Sequence, residues 1–129
     1  MKQLIIAAMM LVLIAACART QPVQNFNNQS IIYDVSKEQV EKSIISALQY
    51  KRWRVIKKTD DSIFAAINVR DHYAEIEIKY SQKDYSIEYR KSRNLQYQQG
   101  TRKGDVIHRN YNKWIILLSQ EIDVNLSRA

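Results

Sequence analysis

Between positions 63 and 89 the side chains alternate in character with a period of two, in three runs separated by short polar connections. Ile63, Ala65, Ile67 and Val69 alternate with Phe64, Ala66, Asn68 and Arg70, and Ala74, Ile76, Ile78 and Tyr80 with Tyr73, Glu75, Glu77 and Lys79. Tyr85, Ile87 and Tyr89 alternate with Ser86, Glu88 and Arg90. Two is the period of a strand, whose successive side chains point to opposite faces. A parallel crossover takes about a dozen residues or more, so connections such as Asp71-His72 and Ser81-Gln82-Lys83-Asp84 admit only antiparallel pairing. Trp53 and Val55, alternating with Arg54 and joined through Thr59-Asp60-Asp61, add a fourth strand to this meander. One face of the sheet is apolar and must be covered; the other carries Glu75, Glu77, Lys79, Glu88 and Arg90 and is wet.

The covering elements are legible from a change of period. Ser36-Lys37-Glu38-Gln39 is a Ser-x-x-Gln capping box, and Val40, Ile44, Ala47 and Leu48 follow at helical spacing to about Tyr50. Ahead of the box, Ser30-Ile31-Ile32-Tyr33-Asp34 reads as a short strand. Residues 91–104 read as a polar loop holding both glycines, and from 105 to about 126 the helical period returns with Ile107, Tyr111, Trp114, Ile115, Leu118 and Ile122. The expected fold is α+β, a two-layer sandwich: short strand, helix, four-stranded antiparallel meander and long C-terminal helix, with both helices across the apolar face. It resembles the helix-grip type of domain.

At 129 residues the chain has the length of one domain. Two Gly, one Pro and one Cys exclude a collagen-like chain, a Gly/Pro-rich disordered chain, a disulfide scaffold and a zinc site built on cysteines. The single cysteine carries a different message. Lys2 is followed at positions 4–16 by an uninterrupted run of Leu, Ile, Val, Met and Ala, the pattern of a signal peptide. As a helix these residues reach about 20 Å, short of the roughly 30 Å of hydrocarbon that a permanent span must cross. The run ends in Leu13-Ile14-Ala15-Ala16-Cys17, which resembles the bacterial lipobox at all its defining positions. The resemblance implies that Cys17 receives a diacylglycerol, that the chain is cut after Ala16, and that the new amino group takes a further acyl chain such as palmitate. Each buried methylene contributes about 0.8 kcal/mol, so two or three chains hold durably where one does not.

The expected organisation is a signal peptide at 1–16, a lipidated Cys17 with a polar tether to 29, and a periplasm-facing domain at 30–129. Such a tether could hold the domain up to about 35 to 40 Å from the bilayer, at about 3.4 Å per residue. Ala18, where enterobacterial lipoproteins kept at the inner membrane typically carry Asp, favours the outer membrane.

Two further segments resemble a family of small proteobacterial lipoproteins. A Tyr-x-x-Ser-x-Asn-Leu-x-Tyr segment occurs at Tyr89, Ser92, Asn94, Leu95 and Tyr97, and an Ile-His-x-x-Tyr-Asn-x-Trp segment at Ile107, His108, Tyr111, Asn112 and Trp114. Where the family has Gly-Trp before the meander, this chain has Arg52-Trp53. The resemblance implies an envelope lipoprotein and brings no activity with it. On their own chemistry these residues admit two readings. In one they are structural, with His108, Tyr111 and Trp114 on one helix face toward the sheet, and Ser92 and Asn94 bonding loop backbone. In the other, His108, Asn112, Ser92 and Asn94 form the polar rim of a groove between the last helix and the 91–104 loop, suited to a small amphiphile or a glycan.

The chain carries 20 Lys and Arg against 13 Asp and Glu, a formal charge of +7. Arg90, Lys91, Arg93, Arg102, Lys103 and Arg109 fall close together in the sequence with only Asp105 in opposition, a candidate anion-binding patch. For an exported protein its targets would be lipid head groups, peptidoglycan or an acidic envelope protein rather than nucleic acid. No Gly-x-Ser-x-Gly elbow or Gly-rich phosphate loop is present, and His72 and His108 have no close-spaced metal-ligand pattern. The expectation is therefore a non-enzymatic binding or accessory domain without cofactor or metal, with an unrecognised hydrolase as the remaining alternative.

Overall fold

The computed structural model describes residues 19–129, so the signal peptide and the lipidation of Cys17 lie outside the described residues. The chain runs β1 (Thr20–Pro22), β2 (Phe26–Ser30), α1 (Lys37–Tyr50), β3 (Arg54–Lys58), β4 (Ser62–Val69), β5 (His72–Tyr80), β6 (Asp84–Arg93), β7 (Gln98–Thr101), β8 (Gly104–His108) and α2 (Arg109–Arg128). The meander forms as expected and gains an edge strand, giving a five-stranded antiparallel sheet in the order β2-β6-β5-β4-β3. A three-stranded antiparallel sheet, β1-β8-β7, stands beside it. The protein is an α+β sandwich with a long C-terminal helix.

The apolar face lies where the alternation puts it. Ile63, Ala65 and Ile67 of β4, Ala74, Ile76 and Ile78 of β5, and Tyr85 and Ile87 of β6 are buried with Val40, Ile44, Ala47 and Leu48 of α1 and Ile115, Leu118, Ile122 and Leu126 of α2. Each of the buried Val, Ile and Leu side chains contributes about 1.5–3 kcal/mol by leaving water, the alanines less. The helices also bond each other directly, Asn125 Nδ2 donating to the Ser43 carbonyl at 3.1 Å.

Helix α1 begins at the expected box: Gln39 N donates to Ser36 Oγ at 3.1 Å and Ser36 N to Gln39 Oε1 at 2.8 Å. It ends in a Schellman pair, with Trp53 N bonding the Leu48 carbonyl at 2.8 Å and Arg52 N the Gln49 carbonyl at 3.1 Å. That closure requires a left-handed residue, and Arg52 adopts φ 67° in the position where glycine is favoured.

Four expectations are corrected. The polar stretch to residue 29 is no tether, because Thr20, Gln21 and Pro22 pair with His108, Ile107 and Val106, and β2 pairs with β6. Its backbone groups find partners that composition does not reveal. The short strand ends at Ser30 instead of beginning there: Ser30 pairs with Asp84, the first residue of β6, so the next residues run past the end of that strand, and Ile32 is 82% exposed. Residues 91–104 are only partly loop, since β6 continues to Arg93 and β7 turns into β8, with Gly104 at φ 82°. Finally, the last helix starts at Arg109, not near 105; Val106 and Ile107 are buried as strand residues.

A bulge in β6 decides what stands on the wet face. Tyr89 pairs with Ile76 and Lys91 with Glu75, leaving Arg90 as the extra residue. Strict alternation from Tyr85, Ile87 and Tyr89 would turn Lys91 and Arg93 toward the helices. The bulge reverses the phase, so that Lys91 and Arg93 lie opposite Glu75 and Tyr73 on the wet face while Ser92 pairs with Ala74 on the core side.

Candidate functional site

The four expected rim residues are each held by different contacts. Asn112, in the first turns of α2 and only 6% exposed, accepts from Gln24 N through Oδ1 at 2.8 Å. Its Nδ2 donates to the Pro22 carbonyl at 2.9 Å and to Gln21 Oε1 at 3.2 Å. It is a clamp on the N-terminal segment. Ser92 Oγ lies 2.7 Å from the Tyr89 hydroxyl. Asn94, at φ 58°, donates through Nδ2 to the Asp71 carbonyl at 2.8 Å, and His72 Nδ1 donates to the Asn94 carbonyl at 2.7 Å. These contacts tie the end of β6 to the β4–β5 turn.

His108 is brought to the same place. Its backbone N–H bonds the Leu95 carbonyl at 2.7 Å, and Nδ1 accepts from Asn110 N at 3.1 Å as the N-cap of α2. The ring stacks on His72 with centroids 5.9 Å apart, and the Trp114 ring lies 6.4 Å from His72. Burial, then the neighbouring His72, Arg109 and Arg19, lower the His108 pKa below the ordinary imidazole value. A neutral ring with a bare Nδ1 is what the cap requires. The structure thus joins His108, Asn94 and His72, and leaves Ser92 and Asn112 elsewhere. Ser92 borders a cleft of about 190 Å³ with Tyr73, Lys91 and Arg93. Asn112 borders one of about 490 Å³ on the α2 side.

The six basic residues do not form one patch. Arg90, Lys91 and Arg93 stand on the wet sheet face, each with a partner: Arg90 Nη1 is 3.4 Å from Glu77 Oε1, Lys91 Nζ is 3.6 Å from Glu75 Oε1, and the Arg93 guanidinium sits 4.4 Å from the Tyr73 ring centroid. Glu77 also accepts from Ser62 Oγ at 2.9 Å, and Tyr73 donates to Glu75, which raises the Tyr73 pKa. Arg102 and Lys103 belong to the β7–β8 turn, and Arg109 opens α2 on the far side of the sheet. Neighbours in sequence are thereby separated by the layers of the fold.

Two features escaped the sequence reading. A cleft of about 580 Å³ lies between the N-terminal segment and the β7–β8 hairpin, bordered by Pro22, Asn25, Glu88, Tyr89, Tyr97, Lys103 and Asp105. In it Tyr89 and Tyr97 stack at 4.2 Å between ring centroids. The second is on α2, where Ile116 and Leu117 are 40% and 37% exposed beside Arg109 and Lys113. The signal for it was the apolar run Ile115-Ile116-Leu117-Leu118, too wide for a single buried stripe. Among the described residues no group of three or more His, Cys, Asp or Glu is placed to hold a metal ion, and no helix is long and apolar enough to cross a membrane.

Compared with protein-family models, curated proteins and solved structures, the chain matches none.

Proposed function

We propose that this chain is a bacterial envelope lipoprotein, held to the membrane by acyl chains on Cys17, with a periplasm-facing domain that serves as a non-enzymatic binding or accessory module. The observation that carries the reading is the only cysteine of the chain, standing directly after an apolar run and Leu13-Ile14-Ala15-Ala16. Ala18 in the following position favours the outer membrane over the inner. The resemblance of the 89–97 and 107–114 segments to small proteobacterial lipoproteins agrees with it. Intact mass of the membrane-extracted protein beside a Cys17→Ser variant is the test. A mature chain beginning at Cys17 with added acyl mass is the expected result; an unmodified thiol ends the proposal. Crosslinking in membranes followed by capture should then return a defined envelope partner.

A second reading, a glycan or small amphiphile bound by the domain itself, is favoured by the stacked Tyr89 and Tyr97. Aromatic faces next to carboxylates such as Glu88 and Asp105 suit sugar rings, whose C–H faces pack on the rings while hydroxyls bond the acids. Titration with soluble peptidoglycan fragments should shift the Tyr89 and Tyr97 ring resonances, and Tyr97→Ala should abolish the shift at Tyr89. Unmoved spectra at millimolar fragment would remove this reading.

A further inference from the structure

The exposed side of α2 runs through Arg109, Lys113, Ile116, Leu117, Gln120 and Val124, all at positions that share one helical face. Ile116, Leu117 and Val124 are 40%, 37% and 38% exposed and are gathered on that one face, and it is such grouping, not single exposed aliphatic side chains, that marks an interaction surface. Among the described residues the cations at the head of this ridge, Arg19, Arg109 and Lys113, have no carboxylate partner, whereas four of those on the sheet, Lys58, Lys79, Arg90 and Lys91, do.

The course of the chain brings the first described residues, Arg19 and Thr20, to this ridge. Arg109 N bonds the Arg19 carbonyl at 2.9 Å, and Thr20 pairs with His108, so the chain enters the described fold at the first turn of α2. Gln21 borders the same cleft as Arg109, Lys113, Ile116 and Leu117. Cys17 precedes Arg19 by two positions, a reach of at most about 7 Å in fully extended chain. An acylated Cys17 cannot then hold the domain away from the bilayer, as a long tether would.

We infer that the exposed ridge of α2 is the membrane-facing surface of the protein, with Arg19, Arg109 and Lys113 against the phosphates of anionic phospholipids and Ile116, Leu117 and Val124 entering the head-group layer. This rests on the lipid anchor proposed above and adds an orientation to it. A helix of 20 residues spans about 30 Å, so docking along it lays the sandwich flat on the bilayer. The wet sheet face, with Phe64, Tyr73 and the paired charges, is then the side left facing the periplasm.

The test uses the full acylated protein extracted from membranes and reconstituted in vesicles of phosphatidylethanolamine and phosphatidylglycerol at three to one. Cys17 is consumed by acylation, so a thiol introduced by Leu117→Cys, or by Asn68→Cys on the opposite sheet face, can be labelled alone with an environment-sensitive fluorophore. Intact mass of the same samples reports the state of Cys17, and near-ultraviolet circular dichroism confirms that each variant is folded. The expected result is acylated protein in which the label at 117 is quenched by lipid-borne doxyl groups and shielded from iodide, while the label at 68 is open to iodide. Lys113→Glu should lower the docked-to-undocked ratio at least about fivefold. Acylated protein with an aqueous label at 117, or with both sites equally quenched, overturns the orientation and leaves the anchor standing. A label at 117 shielded from iodide yet untouched by doxyl lipid means that a protein covers the ridge, and also overturns it. An unmodified Cys17 removes the anchor and the orientation together.

Discussion

Replacing Asn112 by Ala should detach the N-terminal segment from the domain before it unfolds anything else. The side chain makes three hydrogen bonds, to Gln24 N at 2.8 Å, the Pro22 carbonyl at 2.9 Å and Gln21 Oε1 at 3.2 Å. The two bonds to backbone are each worth about 0.5–1.5 kcal/mol net, and the third, to an exposed side chain, contributes less. Asn112 is itself buried, so truncation also loses packing, and a total of about 2–3 kcal/mol follows. Part of that is recovered where water reaches the freed groups, since Pro22 is exposed. The loss is local in kind, because these bonds hold residues 21–24 and none of the five-stranded sheet. Amide hydrogen exchange is therefore the sharper assay: protection at Gln24 should fall by about thirtyfold, the equivalent of about 2 kcal/mol, while Ile76 and Ile78 in the central strand change less. Asn112→Asp should be worse at neutral pH, since a carboxylate still accepts from Gln24 N but faces the Pro22 oxygen with no proton to give. Unchanged protection at Gln24, with a urea midpoint equivalent to within about 0.5 kcal/mol of the parent, would refute the clamp.

Arg52→Gly should stabilise the protein by about 0.5–1 kcal/mol, seen as a higher urea midpoint at constant slope, because Arg52 holds a left-handed φ of 67° in the Schellman turn. The Tyr111 hydroxyl is buried with no hydrogen-bond partner among the described residues, so Tyr111→Phe should be neutral or raise stability by about 1 kcal/mol in the same assay. His108 has a folded-state pKa below its unfolded value, so the folded state binds fewer protons and stability is full above the ordinary imidazole pKa. It should decline as pH falls from about 6.5 toward the lowered value, and His108→Asn, which keeps a cap acceptor without a titrating ring, should flatten that segment of the stability-versus-pH curve. Glu41, lowered by bonds from Lys58 and Tyr80, adds a separate loss only at more acidic pH, below the ordinary carboxylate value.

Local signals determined much of the domain. The period-two runs determined β4, β5 and β6 and the face each buries, because alternation on a half-buried sheet leaves one register in which the apolar side chains are out of water. The Ser36 box determined the start of α1 for the equally local reason that its bonds span three residues. The turn at Arg52-Trp53 is left open by the residues, and the backbone there takes a left-handed conformation that favours glycine with an arginine in it.

What tertiary structure alone decided is everything that depends on a partner distant in sequence. Residues 19–29 look like a tether because their side chains are polar, yet an edge strand is held by its backbone, and its acceptors and donors on β6, β8 and Asn112 lie far along the chain. The basic residues between 90 and 109 form one cluster in sequence and separate sets in space, because a single extra residue at Arg90 turns Lys91 and Arg93 outward while β8 carries Arg109 to the other layer. His72 meets His108 across 36 positions for the same reason. A pattern in sequence reports which side of an element must leave water; which elements then meet is settled only when the layers close on one another, and the contacts that join His72 to His108 and Asn112 to the N-terminal segment are of that second kind.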